Sequence, residues 1–90
     1  MKRTFLKKWA EALRSGRYEQ ARGTLKQGQA LCCIGVGYVC LKGRRPSFDG
    51  TWPASEAIGL TEAQHDKLVA LNDEKGAGFK RIANWIEANL

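Results

Sequence analysis

The ninety-residue chain is poor in the features that define several large protein classes. It has three cysteines, odd in number and too few for the disulfide frame of a small secreted domain, so a reducing cytosol is the expected compartment. No apolar run approaches the ~18 residues that span a bilayer, and no membrane partner is expected. Met1-Lys2-Arg3 resembles the charged start of a signal peptide, yet Lys7 and Lys8 interrupt the apolar stretch that would have to follow. Two prolines, with 43% apolar and 27% charged residues, exclude a disordered tail and point to one small domain over 1–90. A chain of this size buries roughly 60–65% of its unfolded surface, enough for a single core.

What is present in excess is positive charge, and it is unevenly placed. Residues 1–45 hold eleven Lys and Arg against Glu11 and Glu19, a net of +9; residues 46–90 hold four against seven acids, a net of −3. Such a bipolar chain offers one surface suited to phosphates or an acidic protein. The plainer alternative is a solvated face that keeps a small domain soluble.

Phe5, Trp9, Ala12 and Leu13 recur at i, i+4, i+7 and i+8, which predicts an amphipathic helix over about 4–15 with Thr4 as N-cap and Gly16 as its stop. Residues 17–33 lose that period. Arg17–Leu25 and Ala30–Cys32 flank the polar link Lys26-Gln27-Gly28-Gln29, a hairpin pattern that needs helices to lie on. Leu31–Leu41 is apolar almost throughout; its β-branched residues favour a strand, whereas its length fits a helix, and periodicity does not decide between them. Residues 43–60, with Gly43, Pro46, Gly50, Pro53 and Gly59, read as a long irregular loop that docks through Phe48 and Trp52. Thr61-Glu62-Ala63-Gln64 has the capping-box pattern and opens a helix at about 61–74, ended by Gly76 and Gly78. Phe79, Ile82, Ala83, Ile86 and Leu90 then mark a last amphipathic helix.

Few residues are equipped for catalysis. Cys32-Cys33 at a helix start would place a thiol near amides that lower its pKa, and His65 is the only histidine available as a base. This defines a cysteine hydrolase built on Cys32 or Cys33, against the simpler reading of two small core residues. Zinc is disfavoured because the C-x2-C spacing is absent, and Gly35-Val36-Gly37 lacks the third glycine of a dinucleotide fingerprint. No catalytic residue, metal or cofactor is therefore assigned. Basic residues combined with Trp9, Tyr18, Phe48 and Trp52 support nucleic-acid binding instead, with arginines on phosphates and aromatics on bases, although Trp9 also falls on the first helix's apolar stripe and fits the core.

Three stretches, Trp9-Ala10-Glu11-Ala12-Leu13-Arg14-Ser15-Gly16-Arg17-Tyr18-Glu19-Gln20, Cys32-Cys33-Ile34-Gly35-Val36, and Leu71-Asn72-Asp73 followed by Phe79, Ile82-Ala83 and Ile86-Glu87, together resemble a family of small uncharacterised phage and prophage proteins. Its members carry the pattern "ALRSGxYxQ…CCxGV…LND…F..IA..IE". A looser likeness extends to bacterial domains in which a hairpin is followed by "CALGAL" and a later "ND". The resemblance omits 43–57, implies a helix rather than a strand at 32–42, and brings no catalytic residues with it. Its motif residues also have scaffold readings. Asn72-Asp73 can turn the link before Gly76, and a hydrogen bond from Gln20 or Asn72 to the hairpin backbone is left open.

The expected fold is α+β: an N-terminal helix, a β-hairpin, a buried helix, a long loop and two C-terminal helices around one small core. The expected function is a non-enzymatic, phage-type binding protein that occludes a host protein or ribonucleoprotein in the host cytoplasm. Counter-defence or host takeover is the class the resemblance implies, with anti-CRISPR inhibition as one member. Direct nucleic-acid binding is the alternative and the cysteine hydrolase the third. The predicted binding set is Arg14, Arg17, Arg22, Lys26, Arg44 and Arg45 with Trp52 as aromatic anchor, and Lys7 and Lys8 on the first helix form a second surface.

Overall fold

The apolar spacing of Phe5, Trp9, Ala12 and Leu13 builds a helix, α1 (Arg3–Arg14), which buries all four of them. In the computed structural model, which describes residues 2–90, α1 is followed by a short hairpin, β1 (Lys26–Gln27) and β2 (Ala30–Leu31), and by α2 (Cys33–Lys42). Then come α3 (Thr51–Ala57), α4 (Glu62–Val69), a π-helical turn (Ala70–Glu74) and α5 (Phe79–Asn89). The architecture is α+β, as the sequence predicts. The N-cap of α1 is Lys2 rather than Thr4, because the first helical bond runs from the Leu6 amide to the Lys2 carbonyl at 3.1 Å. Gly16, at φ +79°, ends the helix as expected.

The hairpin is shorter and later than predicted. Its two-residue turn is Gly28-Gln29, with Gly28 at φ +60°, so Lys26 and Gln27 belong to a strand rather than to the link. Lys26 pairs with Leu31 and Gln27 with Ala30. Residues 17–25 are irregular instead of extended. Only Gln20 bridges to Leu31, whose carbonyl accepts from the Ala21 amide and whose amide donates to the Glu19 carbonyl.

α2 is the central element, and Cys33–Tyr38 within it are all buried. Its two glycines answer the question of strand or helix by what packs on them. A Cβ at Gly37 would stand 2.7 Å from the Trp9 ring, and one at Gly35 would meet the Leu25 carbonyl and Leu31 at 3.1–3.2 Å. The helix is smooth where α1 and the hairpin press on it. Trp9 seals the α1 contact by donating its indole N–H to the Cys33 carbonyl at 2.9 Å, so its polar edge is satisfied inside the core.

The predicted 43–60 loop contains α3. Pro53 reads as a breaker, yet it sits in the first turn, where no intrahelical donor is lost. Phe48 docks edge-on against Tyr38 at 5.4 Å. The predicted helix 61–74 divides. Thr61 and Gln64 form the expected capping box, but after Val69 the Lys75 amide reaches the Ala70 carbonyl at 2.8 Å and the backbone widens into a π turn. α5 then packs along α1, closing a core that includes Leu25, Leu31, Ile34, Leu68, Ile82 and Ile86.

Candidate functional site

The fold does not gather the predicted basic set into one surface. Arg22, Lys26 and Arg45 point their donors back at the chain. Lys26 Nζ donates to the Pro46 carbonyl at 2.9 Å and Arg45 Nη1 to the Gln29 carbonyl at 3.0 Å, and these bonds staple the hairpin to the segment after α2. Arg22 Nη1 donates to the Asn72 carbonyl at 2.5 Å. Arg44 is exposed beside these staples. Trp52, on α3, is 39% exposed and stands edge-on to His65 at 5.3 Å.

The second predicted surface is the better formed. Lys7 and Lys8 are exposed on α1, opposite its buried stripe, and Arg17 is exposed just beyond Gly16. Among the described residues none of these three side chains makes a hydrogen bond or ion pair. Arg14 lies on the same helix but is tied to α5: Nη2 donates to Asn84 Oδ1 at 2.7 Å and pairs with Glu87. That hydrogen bond from Arg14, with the added charge of Arg14 and Lys7, holds the exposed Glu87 carboxyl below its ordinary value.

A groove runs along each side of α1. On the α5 side, Arg3, Lys7, Leu6, Glu87 and Leu90 surround about 500 Å³. On the α2 side, Lys8, Glu11, Arg17 and Tyr18 stand around about 530 Å³ whose floor is Ala12, Val39 and Cys40.

The densest polar cluster is elsewhere, around the buried Asn72. Its Oδ1 accepts from Gln20 Nε2 at 2.9 Å and from the Cys33 amide at 3.3 Å, while Nδ2 donates to the Ala21 carbonyl at 2.7 Å and to Asp73 Oδ1 at 2.6 Å. Gln20 also donates to the Ala77 carbonyl at 2.7 Å. The π turn presents Asn72 at the start of α2, so one side chain ties together the irregular 17–25 segment, α2 and the approach to α5. The hydrogen bond left open between Asn72 and the hairpin region therefore goes to Ala21. Every polar atom of Asn72's amide is satisfied, as a structural post requires.

The cysteine pair is shielded. Cys32 holds the N-cap position of α2 without a side-chain cap bond; burial raises its thiol, outweighing the amides of Gly35 and Ile34 that pull it down. Cys33 is completely buried and raised further, chiefly by burial. His65 serves neither. Its Nε2 is 3.0 Å from Thr51 Oγ1, which joins α4 to α3, and its Nδ1 is 3.0 Å from Oδ1 of its helix neighbour Asp66. Cys40 is the most accessible thiol, half-buried in the groove between α1 and α2. No three of the described His, Cys, Asp and Glu side chains are placed to hold a metal ion. No helix among the described residues is long and apolar enough to cross a membrane.

A family model described as a domain of unknown function (DUF8296) matches residues 1–44, the stretch holding α1, the hairpin and α2. No curated protein and no solved structure matches the chain.

Proposed function

We propose that this chain is a non-enzymatic binding protein of phage type that occludes a host macromolecule in the host cytoplasm, and that its docking face is α1 and its two flanking grooves. The observation that carries this reading is the division of labour among cations. Arg14, Arg22, Lys26 and Arg45 hold the fold together, whereas Lys7, Lys8 and Arg17 stand unpaired on one helix and the turn that follows it. Unpaired cations at a rim steer an acidic partner and fix its orientation. The buried, raised thiols of Cys32 and Cys33 favour a scaffold role over nucleophilic chemistry. Counter-defence, including anti-CRISPR inhibition, is the class that fits such an occluding protein.

A second reading, nucleic-acid binding through the same face, draws on Tyr18, whose half-buried ring stands beside Arg17 and Lys8 where a base could stack. One experiment separates the two. Capture from a bacterial lysate, with and without nuclease, is compared for the native chain and for the variant carrying Lys7→Glu, Lys8→Glu and Arg17→Glu. The occlusion reading expects a protein partner that survives nuclease and is lost with the triple reversal. Material lost with nuclease establishes the second reading, and capture indifferent to the triple reversal refutes the face itself.

A further inference from the structure

The uneven charge of the chain becomes, in the fold, a difference between two faces. Residues 46–66 hold Asp49, Glu56, Glu62 and Asp66 and no Lys or Arg, and they build α3 and the start of α4. Trp52 and Glu56, four apart on α3, are neighbours on its exposed side. Trp52 stands edge-on to His65, and on α4 His65 is flanked by Glu62, three residues before it, and by Asp66, bonded to its ring. Lys67, the first cation after this stretch, lies about 200° around the helix from His65 and so points away. The α3–α4 face thus offers an exposed indole with three exposed carboxylates, Glu56, Glu62 and Asp66.

α1 packs on α2 and α5, whereas α3 packs on α2 and α4, so the basic and acidic faces are carried by different neighbours of α2. Within one folded copy the two faces are held apart; between two copies they are free to meet. We infer that the α1 face receives the α3–α4 face of a second copy of this chain. Lys7, Lys8 and Arg17 of one copy lie against Glu56, Glu62 and Asp66 of the next, with Trp52 as the apolar anchor. The inference rests on the docking face already proposed and names a second copy as an occupant of it. A copy seated there covers the cations offered to a host partner. The net charge of +6 opposes contact only weakly at physiological salt, because screening acts over about 8 Å and the molecule is 25–29 Å across. Each face meets mainly the charges opposite it.

The test uses the purified full chain alone, followed by sedimentation equilibrium at about 0.15 M salt. The average mass is expected to rise above that of the monomer as protein concentration rises. It should fall back at about 1 M salt, where the screening length shrinks to about 3 Å. One variant reverses the basic face with Lys7→Glu, Lys8→Glu and Arg17→Glu. Another reverses the acidic face with Glu56→Lys and Glu62→Lys, sparing Asp66 and its bond to His65. Each variant alone sets like charge against like and is expected to associate about tenfold more weakly than the native chain, or worse. An equimolar mixture of the two restores opposite charges at the contact and is expected to recover association. Trp52→Ala, which leaves every charge in place, is expected to weaken association about tenfold.

Thermal melts establish that each variant folds. If Glu62→Lys unfolds the start of α4, where an acid suits the helix dipole, Glu56→Lys with Glu62→Gln takes its place. A native chain that stays monomeric up to about millimolar concentration would overturn the inference. So would association that salt leaves unchanged or strengthens, a single reversal that associates as well as the native chain, or a mixture that stays monomeric. These failures differ from failure of the host-binding reading. Lysate capture lost with the triple reversal, from a chain that never self-associates, keeps the face and removes the second copy. Self-association rescued by mixing, with no partner captured from lysate, keeps the second copy and removes the host partner.

Discussion

Two groups of cations in one small chain meet different fates. Around the hairpin and the π turn, Arg22, Lys26 and Arg45 bond to backbone carbonyls that the irregular segments leave without partners. On α1, the helix satisfies its own interior carbonyls, so Lys7 and Lys8 have nothing to bond to and remain in solvent. An acceptor within reach, rather than charge, decides which cations are consumed: Arg14 finds one on α5, whereas among the described residues Arg17 and Arg44, outside any helix, do not. Net charge alone therefore overstates the surface available to a partner, and it misplaces it.

The comparison breaks most visibly at the post that the first group serves. Asn72→Ala strips two acceptor and two donor contacts from a buried site and should destabilise the chain by about 3 kcal/mol or more, measured by urea denaturation. Arg22→Ala removes one charged donor from the same site and should cost about 1–2 kcal/mol. A smaller loss with Arg22→Lys would show that the donor matters more than the guanidinium's shape. The triple reversal at Lys7, Lys8 and Arg17 should cost less stability than Arg22→Ala, because these exposed side chains make no hydrogen bond or ion pair and only Lys7 lends charge to a neighbour, the exposed Glu87. A large loss there would erase the distinction between the two groups.

Arg14 lies on the boundary, and pH sharpens its position. The folded carboxyl of Glu87 titrates below its ordinary value of 4.5, so its pairing contributes stability above that value and loses it as pH falls through the lower folded one. The effect is small because Glu87 is exposed. Arg14→Ala should flatten this acid-side slope, its small cost present at neutral pH and vanishing in acid where native and variant melts converge, as followed by thermal melts from neutral pH into the acid range.

Much of the fold was legible because local pattern and final structure agree. The stripe of α1, the box at Thr61 and Gln64, and the spacing from Phe79 to Ile86 all recur as helices. α3 was hidden because Pro53, Gly50 and Gly59 carry loop signals one at a time, while a proline in a first turn is compatible with a helix. The π turn was hidden because its sequence continues a helical pattern and only its backbone departs. Of the predicted surfaces, Lys7 and Lys8 were legible from helix period alone. Arg22, Lys26 and Arg45 were not, because their acceptors lie outside any local window, as far as fifty residues away for Arg22.

The bond between Gln20 and Asn72 closes a loop of 52 residues. Bringing such distant points together takes about 3.5 kcal/mol of chain entropy beyond a constant, more than one hydrogen bond returns. The cluster therefore assembles only after α1, α2 and α5 have docked and shortened the effective loop. The last contacts formed are then those that fix how the 17–25 segment leaves α1, and with it where Arg17 stands. The placement of Arg17 is accordingly expected to be fixed late in folding, by topology rather than by the strength of any single contact.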